Sequence, residues 1–150
     1  MERLTKTDEY EVWFATIERP FLFSSPFVGD FALMLVVIDS KITVEEREFI
    51  SDEIVRQGCR YAVCTGHECS KWDDSIDFAF IATDPEFSPP DDRMVWTTWH
   101  ENELLVDVAE YFRWNTTIAN FVPCRFLALC LGGDTVAEGE VRSAIVKFFG

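Results

Sequence analysis

Eight consecutive apolar residues, Phe31 to Ile38, stand between Gly29-Asp30 and Asp39-Ser40-Lys41. A run of that length fits a strand buried on both faces, the usual state of a central strand in a parallel sheet. It is far too short to span a bilayer, which takes about 20 residues. Downstream, Thr43 with Glu46 three residues later is a capping-box pattern. The helix it opens runs to about Gln57, with Phe49, Ile50, Ile54 and Val55 on its apolar face and Gly58 where a C-terminal glycine cap belongs. Cys59 to Cys64 then reads as a second strand. Residues 31–64 thus form a β-α-β unit, whose crossover is expected to be right-handed.

The pattern is ambiguous over 72–82. Trp72, Ile76, Ala79 and Phe80 fall near one helical face and Asp73, Asp74 and Asp77 near the other, but Ile76, Phe78 and Phe80 also alternate as in a strand. A proline-stiffened loop covers 84–92. Met94 to Thr97 reads as a third strand, and Thr98 with Glu101 repeats the capping-box pattern. The helix after it has a stripe of Leu104, Leu105, Val108, Ala109 and Phe112. Arg125 to Leu131 is a second apolar run and a fourth strand. Gly132-Gly133-Asp134-Thr135 leads into a last helix with Val141, Ala144, Ile145 and Phe148 on one face.

Upstream, residues 1–11 are polar and are expected to lie on the surface or fray. Val12 to Ile17 is β-prone and suits an edge strand. Phe21, Leu22, Phe23, Phe27 and Val28 surround two prolines in a loop that either folds over a sheet face or forms an exposed contact patch. The alternation predicts a single α/β domain over 1–150: a three-layer sandwich with a mostly parallel sheet of four to five strands. A flavodoxin- or Rossmann-like strand order 2-1-3-4 is expected, with 31–38 central and an N-terminal edge strand added.

Charge changes the picture most. Twenty-seven acids against thirteen bases give a net charge of −14. Direct nucleic-acid binding and anionic membranes are disfavoured, since both call for a basic surface. Glu68 to Glu110 holds twelve acids and two bases, a net of −10. Asp73, Asp74, Asp77, Asp91, Asp92, Glu103 and Asp107, with Trp72, Trp96 and Trp99 among them, make a candidate face for a basic protein partner. An ordinary solvated helix face, with the tryptophans in the core, explains the same pattern. The acids overall serve solubility as well.

Candidate chemistry is sparse. Parallel sheets bind ligands at the carboxyl ends of their strands, where Asp39, His67, His100 and Asp134 are expected. These residue types suit acid/base work, yet Asp39 and Asp134 also suit turns and caps. Cys59, Cys64 and Cys69 recur every five residues with His67 between the last two, but paired C-x₂₋₄-C ligands are lacking, and Cys59 and Cys64 would point to opposite faces of a strand. No metal or cofactor is expected, and the thiols read as free. Neither a phosphate-binding loop, a G-x-G-x-x-G turn nor a G-x-S-x-G elbow occurs. Without an apolar leader after Met1, the chain reads as cytoplasmic.

The expected function is therefore an acidic protein-binding protein, an inhibitor of the immunity-protein or antitoxin type that neutralises a basic partner such as a nuclease toxin. The alternatives are a small enzyme or ligand-binding domain using Asp39, His67, His100 and Asp134, and a structural or regulatory domain docked through the Phe21–Phe27 loop.

Overall fold

The computed structural model describes residues 1–150. Its elements are β1 (Glu2–Lys6), β2 (Glu11–Ile17), β3 (Phe31–Val37), α1 (Val44–Arg56), β4 (Cys59–Gly66), α2 (Cys69–Ile81), β5 (Trp96–His100), α3 (Leu105–Trp114), β6 (Arg125–Leu131) and α4 (Thr135–Phe149). The strands form one sheet in the order β1-β2-β6-β3-β4-β5. Only β1 runs antiparallel to its neighbour; every other pairing is parallel. The α/β class with a mostly parallel sheet holds, with six strands rather than four or five.

The apolar run does become an interior strand. Every residue of β3 is buried, between β6 and β4. Side chains alternate across a strand, so Leu33, Leu35 and Val37 join one core cluster and Ala32, Met34 and Val36 the other. The first cluster contains Ile50 and Ile54 of α1 and Trp72 and Ile76 of α2. The second contains Val108 and Phe112 of α3 and Val141, Ile145 and Phe149 of α4. Each large side chain buried in this way contributes about 1.5–3 kcal/mol, set against the entropy of ordering the chain.

The aromatic loop after β2 folds inward. Phe21, Phe23 and Phe27 are buried in the first cluster, with Phe27 against Trp13 of β2 and Phe31 of β3. The loop thus covers part of the sheet on the α1–α2 face, and its aromatic rings do not form an exposed patch.

Several expectations are corrected. The order 2-1-3-4 would place β5 beside β3. Instead β6 sits there, and β5 is the outer edge beyond β4. The reason is compositional: β6 (RFLALCL) is apolar on both faces, whereas β5 (WTTWH) is short and half polar. Residues 1–11 lie on the surface as expected, mostly exposed, but they are paired rather than frayed: β1 sets Glu2 beside Phe14 and Lys6 beside Glu11. The polar β1 takes the edge, and β2 is interior, parallel to β6. Residues 69–81 are helical, and Phe78, the residue outside the helical stripe, is exposed.

The capping box at Thr43 and Glu46 is present, with both bonds made. The one at Thr98 and Glu101 is not. Thr98 lies inside β5, α3 starts after Leu104, and Leu104 is exposed rather than part of the buried stripe. In α4 the buried aromatic is Phe149 and not Phe148. Cys59 and Cys64 share one face, because a register shift beside Arg60 adds a residue to β4.

Candidate functional site

The Glu68–Glu110 segment builds the outer end of the sheet. β5 has β4 on one side and no strand on the other. It carries no acid, lysine, arginine or proline, the residues that ordinarily protect an edge from pairing. Trp96 and Trp99 are about half exposed there, at 48% and 54%. The exposed acids of the segment include Asp91 and Asp92 in a 3₁₀ turn (Asp91–Arg93) before β5, Glu101 and Glu103 after it, Asp107 on α3, and Asp74 on α2, which lines a crevice with Arg47 and Lys71 on the α1 side. Arg60 holds the turn in place. Its buried guanidinium donates to the carbonyls of Asp92 (2.9 Å) and Met94 (3.0 Å) and pairs with Asp30 at 3.1 Å.

Between the end of α2 and β5 lies a groove of about 450 Å³, lined by Asp77, Phe80, Ile81, Met94 and Trp96 among others. The Thr97 hydroxyl donates to Asp77 Oδ1 at 2.6 Å. Two of the expected contact residues are not on the surface. Trp72 is 1% exposed and Asp73 5%. Trp72 shares the buried stripe of α2 with Ile76 and Ala79, and Asp73 sits beside it in the helical phase. Burial raises the pKa of both Asp73 and Asp77.

At the carboxyl ends of the strands, no hydrogen bond or ion pair joins any two of the four expected site residues. The strand order switches between β3 and β6, the place where such sheets bind ligands. There Asp39 accepts from the backbone N–H of Lys41 (2.7 Å) and from Arg19 Nη1 (2.5 Å), while Arg19 also pairs with Glu46. The Lys41 N–H and the Arg19 guanidinium hold the Asp39 carboxyl below its usual range. The packing is tight: a Cβ added to Gly132 would lie 2.7 Å from that of Asp39. Asp134 caps α4 through Ala137 N–H at 2.8 Å. His67 is exposed, with Glu68 3.9 Å away.

His100 is buried. Its Nε2 lies 3.0 Å from Thr98 Oγ1 and its Nδ1 3.1 Å from Glu103 Oε2, and the ring packs on Tyr111 at 4.6 Å. The Tyr111 hydroxyl bonds that of Tyr61 at 2.6 Å. Hydroxyl, imidazole and carboxylate stand in the order used to activate a nucleophile. Here, however, the imidazole is packed away from solvent, and the array clamps the β5–α3 turn onto α3. A crevice of about 390 Å³ at this same edge is lined by Val36, Thr65, Gly66, Glu101, Glu103 and Glu140 among others, without a histidine. Cys59, Cys64 and Cys69 lie in one core cluster, and no group of three His, Cys, Asp or Glu side chains is placed to hold a metal ion. No helix is long and apolar enough to cross a membrane.

Residues 13–147 match the family model described as Domain of unknown function (DUF7684). The chain belongs to that family. The match runs from within β2 to within α4 and leaves out β1. No curated protein and no solved structure matches the chain. The DUF7684 region thus includes the whole acidic edge. Residues that sequence reasoning did not single out there are Arg60 and Thr97. A buried arginine at a strand bulge leaves no local pattern, whereas the two tryptophans three apart in a polar strand were a readable sign of an exposed edge.

Proposed function

We propose that this protein binds a basic protein partner through its acidic edge, acting as an inhibitor of the immunity-protein or antitoxin type that neutralises a cationic toxin such as a nuclease. The observation that carries the reading is the two half-exposed tryptophans, one on each face of an unprotected edge strand that Asp91, Asp92, Glu101 and Glu103 flank in the sequence. Half-exposed aromatics inside a charged rim are the usual anchors of a protein interface. A net charge of −14, with its excess on this segment, steers a cationic partner and repels nucleic acid. The reading takes the chain as one three-layer cytoplasmic domain, consistent with helix pairs packing on opposite sheet faces.

The test starts with isolation of the partner from the native host and reconstitution from purified components. Replacing Asp74, Asp91 and Asp92 with lysine should slow association at least about tenfold, with a steep dependence on salt. An acidic partner, or association unchanged by the three reversals, would defeat the proposal.

The ligand-binding alternative keeps one supporting observation, the 390 Å³ crevice, whose glutamates suit a small organic cation such as a polyamine. Spermidine binding lost in Glu140→Gln is its signature. Docking through the Phe21–Phe27 loop has less support, because the loop's aromatic rings are buried and its exposed apolar residues are Leu22 and the adjoining Val28.

A further inference from the structure

We propose that the free edge of β5 takes up an extended segment of the basic partner as an added strand, and that Asp77 on the groove wall, with the buried Asp73 one turn behind it, receives an arginine or lysine side chain from it. The inference rests on the preceding reading and specifies how that surface is used.

The first observation is the edge itself. The backbone groups of β5 that point away from β4 have no strand to pair with. A strand added about 4.8 Å further out would bond them, and its side chains would alternate between the two sheet faces. Those on the α2 face would meet Thr97, Trp99 and the 450 Å³ groove, which has Asp77 on its wall.

The second observation is an uncompensated pair of carboxylates. Asp73 and Asp77 lie one turn apart on α2, the helix that packs on β5. Asp73 Oδ1 is buried without a hydrogen-bond partner. The Thr97 hydroxyl has one proton, and it goes to Asp77. No lysine, arginine or histidine forms an ion pair with either residue. A buried carboxylate with a second, half-buried one a turn away is costly unless a cation joins them. A guanidinium arriving on the added strand supplies that charge and the missing donors. Trp99, on the α2 face with Thr97, offers an aromatic face to the same basic side chains, while Trp96 lies on the opposite face of β5.

The test uses the full-length ¹⁵N-labelled protein and a blocked hexapeptide, Thr-Val-Arg-Val-Arg-Thr. Two control peptides replace arginine with citrulline or carry N-methyl groups on alternate amides. The arginine peptide should shift the amide signals of Trp96 to His100. Citrulline, and N-methylation of the pairing edge, should each weaken binding at least about tenfold. On the wild-type protein, the ¹³C carboxyl signal of Asp77 should titrate at lower pH when peptide is bound, a readout that needs no variant. Asp77→Asn should lose at least about tenfold in affinity, and Asp91→Asn less than about threefold at physiological salt. Equal binding of the citrulline peptide, shifts mapping away from β5, or no shift up to about 5 mM peptide would overturn the inference. A reconstituted basic partner that depends on Asp74, Asp91 and Asp92 but leaves the β5 amides unmoved would overturn strand addition alone and leave the proposed function standing.

Discussion

Replacing Asp73 with asparagine should make the protein more stable near neutral pH, against the usual direction for a substitution at a buried position. Asp73 is 5% exposed, and one carboxylate oxygen has no partner. An unsatisfied buried polar group costs about 1–3 kcal/mol, and more when charged. Asparagine keeps the shape and one orphan oxygen but removes the charge. The expected gain is therefore about 1–2 kcal/mol, a sizeable share of the roughly 5–15 kcal/mol that holds a domain folded. The pH dependence fixes the cause. Burial raises the pKa of Asp73, so the folded chain holds that proton more tightly than the unfolded chain. Its contribution is most favourable below the ordinary aspartate pKa of about 3.9 and is lost as pH rises through that value towards the raised one. The advantage of the variant should be near zero in acid and reach a plateau towards neutrality. Urea unfolding of both proteins at about pH 3.5, 5 and 7 measures it. Asp74→Asn, on the exposed side of the same turn, is the control and should stay within about 0.5 kcal/mol. The reasoning is refuted if Asp73→Asn is less stable at neutral pH, if its gain does not change with pH, or if Asp74→Asn matches it.

Three further outcomes are expected. Gly58→Ala should cost about 2–5 kcal/mol by denaturant titration, since φ is +112° and a Cβ would lie 2.7 Å from the Gly29 carbonyl oxygen; Gly139→Ala, in a helix with open space beside it, should instead stabilise by up to about 1 kcal/mol. Equal signs for the two would contradict the packing described. Of the five thiols, only Cys124 is exposed, and burial pushes that of Cys130 up to about 12, so a disulfide reagent should modify one thiol quickly in the native protein and five in denaturant. In Arg19→Met, the Asp39 carboxyl should titrate at higher pH by ¹³C NMR while the capping box at Thr43 persists, because only one of its two supports is removed.

What could be read from the residues depended on the range of the interaction. Thr43 with Glu46 and the Phe31–Ile38 run are local signals, and both elements form where the pattern places them. Strand order is not local. Nothing within Trp96–His100 specifies its neighbour, and its position follows from the more apolar β6 claiming the central place. Thr98 had two competing uses, a helix cap or a partner for His100, and the strand prevailed. Within the candidate site, Asp73 and Asp74 are the same residue type in succession. Their different fates follow from helical phase, which the Trp72–Ile76–Ala79 stripe already contained. The bulge beside Arg60 was invisible, since it shows only in the pairing with β3.

The parallel pairing of β2 with β6 sets Glu11 beside Arg125. That contact joins early and late parts of the chain, and it imposes a sequence of events on synthesis. The β3-α1-β4 unit can assemble while the ribosome is still working, but the hairpin of β1 and β2 must wait for β6 before its slot exists. During that interval β2 and β3 both present open, apolar edges that can join each other and shut β6 out. The heavy negative charge borne by the emerging chain then acts before any partner is met, keeping unfinished copies from one another until the last strand arrives.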